Sequence, residues 1–358
     1  MPKIMFTGGG SAGHVTVNLA LFPRLRTDGW SLVYVGSVTG IERELVRAKD
    51  VRYIGISTGK LRRYFDLRNF SDQLRIVKGI FQAYTIIRRE KPAVLFSKGG
   101  FVSVPVVIGA WLNKVPIIIH ESDMTPGLAN RIATRFAHTI CTTFKESENY
   151  LPAGKTSYVG ALVREELNFG DARLGKTLCR FSDTKPVVLM MGGSLGAQSI
   201  NHAVRESLPR ILERFNVVHL CGKGNVDASY ALAGYRQYEY LNEELPHVLS
   251  AADIVVSRAG SNSIFEFLHL RKPMLLIPLT KAQSRGDQIL NAESFESAGL
   301  CRILHEEEMT SETLLKGIHD VYSHCDEIIN NMENYQRTNA LSVVTEIIKQ
   351  AAANVVPN

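Results

Sequence analysis

Cysteine is scarce and unpaired. The five in 358 residues (Cys141, Cys179, Cys221, Cys301, Cys325) are odd in number and share no C-x-x-C spacing, which argues against a disulfide framework or a zinc site and fits a reducing cytoplasm. Long apolar runs are missing as well. The longest, Val102 to Leu112, is broken by Asn113 and Lys114 and falls short of the roughly 20 residues a spanning helix needs, which excludes an integral membrane protein. MPKIMFTGGG enters a strand and its turn at once, with no charged leader or cleavage site, so no signal peptide is expected. There is no D-x-D, no H-E-x-x-H and no cysteine pair, and His324-Cys325 reads as helix surface; neither a metal nor another cofactor is expected.

What is present is a duplicated device. VVLMMGGSLGAQSIN (187–201) runs apolar residues into Gly192-Gly193-Ser194-Leu195-Gly196 and on into a helix-forming segment, and IMFTGGGSAGHVTVNLA (4–20) does the same through Gly8-Gly9-Gly10-Ser11-Ala12-Gly13-His14. Glycines let a backbone approach a ligand, and the first helical turn offers unpaired N–H groups that suit a phosphate. The two copies read as two half-sites facing one cleft.

Apolar runs at Ile4–Phe6, Leu32–Val35, Tyr53–Ile56, Val94–Ser97, Ile117–His120 and Thr139–Thr142 alternate with helical patterns. A second series follows at Val187–Met191, Val217–Leu220, Tyr238–Leu241, Ile254–Ser257 and Met274–Ile277. Such alternation predicts an α/β protein of two doubly wound, Rossmann-like domains with parallel sheets. Their boundaries are read as 1–162 and 163–338, with a last helix in 339–358 packing back toward the first domain and the polar segment 161–186 as a structured linker. Loops 7–14, 98–101, 121–130, 192–196, 257–263 and 279–288 lie beyond the strands' carboxyl ends, where open sheets bind ligands.

Each motif has rivals. Gly8-x-Gly10-x-x-Gly13 matches the dinucleotide fingerprint, but the second strand ends in Val35-Gly36-Ser37 without the ribose-binding acid, so a nicotinamide dehydrogenase is a remote alternative. Gly9-x-Ser11-x-Gly13 and Gly192-x-Ser194-x-Gly196 also match a hydrolase nucleophile elbow. Phosphate contact ranks ahead of a helix cap for these serines, and a nucleophile behind both. Ser263 to Glu266 reads as a capping box, although Glu266 at a helix start in the cleft also suits two ribose hydroxyls; both readings stand. His14, in the first turn of its helix, is a candidate base kept neutral by the helix terminus. Arg164 or Lys98 would help neutralise a leaving diphosphate. Lastly, Lys60 to Lys91 carries nine Lys or Arg against three acids, a surplus equal to the formal +6 of the whole chain, with Tyr64, Phe65, Phe70, Phe81 and Tyr84 interleaved. No nucleic-acid module accompanies this charge, so nucleic acid is not expected, whereas an anionic membrane surface would hold such a stretch reversibly.

With these residues in view, the chain resembles the MurG family of glycosyltransferases (family 28). The resemblance rests on GGGSAGH (8–14), SKGGFVSVP (97–105), HES with GLAN (120–130), GGSLGA (192–197), RAGSNSIFE (258–266) and DQILNA (287–292), in that order from end to end. It implies a GT-B fold and inverting transfer of GlcNAc from UDP-GlcNAc to the MurNAc 4-hydroxyl of undecaprenyl-pyrophosphoryl-MurNAc-pentapeptide, turning lipid I into lipid II in peptidoglycan synthesis. It further implies a peripheral place on the cytoplasmic face of the membrane, where other cell-wall synthesis proteins are candidate partners. Donor contacts would come from Ser11, Ala12, Gly13, Arg164, Ser194, Leu241 (uracil), Glu266 (ribose) and Gln288 (sugar). Asp123 and Asn130 would line the acceptor pocket, with His14 or Glu121 as the base. Arg62, Arg63, Phe65, Arg75, Lys78, Phe81, Arg88 and Arg89, with Trp111, would form the membrane patch. Asp123 stands where the family often has Asn, Ala161 replaces the Asn of a G-N-P-V-R segment, and Phe101 takes the place of a Tyr. Domain closure around the donor is expected. Against this reading stand a diacylglycerol glucosyltransferase, a UDP-GlcNAc 2-epimerase and a non-enzymatic nucleotide sensor.

Overall fold

The computed structural model describes residues 1–11, 13–59, 68–193, 196–336 and 338–354, and in residues 68–72 the backbone alone. Ala12, Arg62, Arg63, Phe65 and Ser194 lie outside the described residues. The chain divides into two compact units, Met1–Arg164 with Arg337–Asn358, and Glu165–Gln336.

The first unit is built on strands β1 (Lys3–Thr7), β2 (Ser31–Ser37), β3 (Arg52–Ile56), β4 (Val94–Ser97), β5 (Ile117–Glu121), β6 (Thr139–Thr142) and β7 (Thr156–Tyr158). Between them run α1 (Gly13–Thr27), α2 (Ile41–Arg47), α3 (Arg68–Glu90), α4 (Ser103–Leu112) and α5 (Leu128–Ala133). The sheet order is β3-β2-β1-β4-β5-β6-β7, with every pairing parallel. The period of two along β1 explains the layering: Ile4 and Phe6 pack with Leu21 and Phe22 of α1, while Met5 points to the other face, with Ala83 and Ile87 of α3 and Val106 of α4. Burial on both faces is why these strands read as unbroken apolar runs.

The second unit holds α6 (Ala172–Leu178), β8 (Val187–Met191), α7 (Gln198–Ile211), β9 (Asn216–Leu220), β10 (Tyr235–Tyr238), α8 (Leu245–Ala251), β11 (Ile254–Ser257), α9 (Ser261–His269), β12 (Met274–Leu276), α10 (Asp287–Ser297), β13 (Cys301–Ile303), α11 (Ser311–Ser323) and α12 (Cys325–Asn334). Its sheet order is β10-β9-β8-β11-β12-β13, again all parallel. The chain then returns to the first unit as α13 (Ala340–Ala353), whose Val344 and Ile348 are fully buried in the α1 cluster.

Two expectations need correction, and two strands were not foreseen. The segment 161–186 is not a linker: from Glu165 it belongs to the second unit, where α6 packs on α8 so closely that a Cβ on Gly175 would lie 2.1 Å from the His247 carbonyl oxygen. The strand expected at Tyr238–Leu241 lies three residues earlier, because Tyr235 is pinned to β9 through its hydroxyl, 2.8 Å from His219 Nδ1. The edge strands β7 and β13 escaped notice because TSY and CRI are too short and polar to show an apolar run.

Candidate active site

An open parallel sheet binds its ligand where the strand order reverses. In the first unit that point lies between β1 and β4, and the loops leaving these strands are the glycine loop 8–13 and the loop 98–101. A Cβ on Gly100, whose φ is +80°, would stand 2.1 Å from the Gly9 carbonyl oxygen and 3.1 Å from His14 Nδ1. Glycine at 100 is therefore what lets the two loops touch.

α1 begins at Gly13, which puts the half-buried His14 in its first turn. Its Nδ1 lies 2.9 Å from Ser11 Oγ and its N–H donates to the Ser11 carbonyl at 3.2 Å, so the loop sets the ring's orientation. Beneath the loop, the Tyr34 hydroxyl donates to the Gly8 carbonyl (2.8 Å), and Asn18 Nδ2 donates to Tyr34 and to the Thr7 carbonyl, both at 3.1 Å. Gly10 N–H donates to the carboxylate of buried Glu42 at 3.3 Å. This amide is thus turned inward, away from any phosphate. Tyr34, Asn18 and Glu42 are residues that the sequence reading missed.

Glu121, the other candidate base, ends β5 and is 4% exposed. It accepts from Asp123 N–H (3.1 Å), Gly127 N–H (3.0 Å) and Asn130 Nδ2 (2.9 Å), so its oxygens are committed to its own loop. Burial raises its pKa, against the opposing charge of Lys98. Asn130 is buried and also donates to the His120 carbonyl at 3.1 Å, which places it behind Glu121. The half-buried Asp123 takes Ser147 Oγ on its carbonyl at 3.3 Å. Lys98 does not face outward to a diphosphate: it is 2% exposed, with Nζ donating to Ser122 Oγ at 2.7 Å. Burial lowers its pKa, while Glu121 and Asp123 push it back up. His120 is held neutral by burial and by the nearby Lys98 charge.

In the second unit the order reverses between β8 and β11. Gly196, φ +77°, donates its N–H to the Gly193 carbonyl at 3.0 Å, and a Cβ there would stand 2.1 Å from the Cys221 carbonyl oxygen. The corner then opens into α7. Behind it, buried Arg258 reaches Glu306 through two bonds, 2.7 and 2.8 Å, and Ser199, in the first turn of α7, hydrogen-bonds both. This network ties the start of α7 to the loop after β11, and it too was not legible in the sequence. α9 starts at Ser261 with Gly260 as its cap and no side-chain capping bond. The expected capping box at Ser263 is thus absent, because both Ser263 and Glu266 lie inside the helix. Glu266 is half-buried, as is Leu241 in the loop after β10. Gln288, in the first turn of α10, accepts from Leu279 N–H at 3.1 Å. Half-buried Arg164 is the last residue before the second unit. Among the described residues no three His, Cys, Asp or Glu gather to hold a metal ion.

α3 presents Gly79, Ala83 and Ile87 inward, against α4 and the core. Its outer face shows Leu74, Val77 and Phe81 at 61, 56 and 72% exposure, with Arg75, Lys78, Arg88 and Arg89 also exposed. Trp111 and Leu112, at the end of α4, are about half exposed. Large apolar side chains at helical spacing on a solvated face are unusual and mark a contact surface. Among the described residues no helix is long and apolar enough to cross a membrane.

Comparison with known proteins agrees with this architecture. The glycosyltransferase family 28 N-terminal domain matches residues 4–142 and the family's C-terminal domain matches residues 187–350. The chain is 57% identical over 352 residues to a UDP-N-acetylglucosamine--N-acetylmuramyl-(pentapeptide) pyrophosphoryl-undecaprenol N-acetylglucosamine transferase of Geobacillus thermodenitrificans, covering 98% of this chain and 99% of that one. Its counterpart in Geobacillus kaustophilus is likewise 57% identical over 352 residues, with the same coverage. In fold, the crystal structure of Acinetobacter baumannii MurG superposes with a TM-score of 0.76 at 24% identity, over 98% of this chain and 100% of that one. With both domain descriptions matched in order and more than half of its residues identical to such relatives, the chain belongs to glycosyltransferase family 28.

Proposed function

We propose that this chain transfers N-acetylglucosamine from UDP-GlcNAc to the MurNAc 4-hydroxyl of undecaprenyl-pyrophosphoryl-MurNAc-pentapeptide, forming a β-(1→4) link with inversion and releasing UDP. The observation that carries the reading is end-to-end identity of 57% with transferases named for that reaction. A glycine corner at the switch point of each unit's sheet supports the reading.

In the step itself, the 4-oxygen bonds to the anomeric carbon as its proton passes to His14 and the bond to the diphosphate breaks. Orientation by Ser11 suits His14 to that role better than Glu121, whose oxygens already hold three donors. Charge developing on the departing diphosphate would be met by backbone amides at the start of α7 and by Arg164. Leu241, Glu266 and Gln288 would hold uracil, ribose and sugar. Ser11 and Gly13 remain donor contacts, and Asp123 the acceptor contact; Asn130 would act through Glu121. No cofactor is required in this scheme, and activity is expected to persist in a chelator.

The solvated apolar and basic face of α3 supports peripheral attachment to an anionic membrane, where the lipid acceptor resides. The decisive assay is transfer of labelled GlcNAc to a short-chain lipid I analogue. One GlcNAc per acceptor is the expected product. Hydrolysis alone, or release of ManNAc without acceptor, would overturn the reading.

A further inference from the structure

Glu42 lies in the first turn of α2, is fully buried, and has no ion pair among the described residues. A carboxylate taken out of water in this way is costly unless hydrogen bonds replace its hydration. The fold supplies them: Ser37 donates its N–H at 3.0 Å and its hydroxyl at 2.5 Å to one oxygen, and Gly10 N–H donates at 3.3 Å to the other. Three glycines make room for it. A Cβ on Gly40 would lie 2.2 Å from Oε1, one on Gly9 2.6 Å from Cδ, and one on Gly36 3.0 Å from Cγ. On another side of the loop the Phe101 ring closes against Gly10, where an added Cβ would be 2.5 Å from it. Gly10, at φ +87°, is therefore clamped between a carboxylate and a ring, one residue before Ser11.

We propose that Glu42 is a positioning residue for the transfer: by holding Gly10 N–H it fixes the loop whose Ser11 orients the imidazole of His14. The inference rests on His14 as proton acceptor. A glycine-rich loop has little stiffness of its own, so without this anchor the Ser11–His14 contact samples other orientations, and a misplacement of about 1 Å costs about a hundredfold in rate. Gln at 42 keeps one acceptor oxygen but turns an NH₂ group toward Ser37 or Gly10, both donors. Asp keeps the charge and is one methylene shorter.

The test uses the full chain with UDP-GlcNAc and a short-chain lipid I analogue. Glu42→Gln is expected to lower kcat, measured at saturating UDP-GlcNAc, about ten- to hundredfold, with a melting midpoint above the assay temperature. In a His14→Ala background the same substitution is expected to change kcat by less than about twofold, since both act through one group. Wild-type kcat in Glu42→Gln, with His14→Ala impaired, overturns this inference alone; so does a full second loss in the His14→Ala background. Normal kcat in His14→Ala removes the proton-acceptor reading and this inference with it. Should Glu42→Gln not fold, Glu42→Asp is expected to show the same loss, and wild-type kcat there is likewise decisive against it.

Discussion

At the scale of single residues, burial and hydrogen bonding differ between the imidazole of His14, the first candidate base, and the carboxylate of Glu121, the alternative. His14 is half-buried with Nδ1 on the Ser11 hydroxyl, while Glu121 accepts from three donors of its own loop. His14→Ala is expected to reduce kcat by about 10²–10⁴ with UDP affinity unchanged; a near-normal kcat removes the assignment. Glu121→Ala strands three donors in a dry site, so urea unfolding should report a loss on the order of 3 kcal/mol. A loss below about 0.5 kcal/mol in that experiment would contradict its loop-holding role. The glycine turns were legible because glycine has a local geometric meaning where φ is positive or backbones meet. Glu42, Tyr34 and Asn18 were not, since an acid, a tyrosine and an asparagine gain their meaning here only from the loop they underlie.

At the scale of elements, the turn before α7 and the network behind it hold the start of that helix. Gly196→Ala demands a left-handed conformation, costing about 1–2 kcal/mol, and a contact 2.1 Å from Cys221 that only a shift of the corner relieves. UDP binding by calorimetry should weaken at least tenfold; unchanged affinity would separate this turn from the nucleotide. Glu306→Ala leaves Arg258 buried and unpaired, a loss of about 3–5 kcal/mol. Burial alone would raise the Glu306 pKa, but hydrogen bonds from Arg258 and Ser199 outweigh it and hold the carboxyl below its usual 4.5. A lowered folded-state pKa contributes stability that is complete above the unfolded value and lost as pH falls through the folded one. The wild type should therefore lose stability below about pH 4.5 more steeply than Glu306→Gln, as chemical denaturation across pH 3 to 6 would show. On α3, Phe81→Asp is expected to weaken binding to anionic vesicles by about tenfold or more, and Lys78→Glu to do so more at low salt than at high. Equal binding by all three proteins would place the membrane contact elsewhere.

At the scale of the whole molecule, the last helix completes the first unit. Val344 and Ile348 are fully buried beside Leu21 and Leu25, and Lys349 pairs with Asp28 at 3.2 Å. Removing α13 should cost the first unit about 3–6 kcal/mol from those two side chains alone, seen as an early calorimetric transition while UDP binding survives. A single unshifted transition would contradict this.

The order of apolar runs and glycine corners sufficed for two doubly wound domains and for the loops at their switch points, because strand burial and positive-φ turns leave marks on consecutive residues. Which polar side chains serve those loops was decided by tertiary structure alone. Glu42 meets Gly10 across 32 positions and Arg258 meets Glu306 across 48. No pattern of neighbouring residues encodes contacts made only when the sheet's crossovers bring distant segments together.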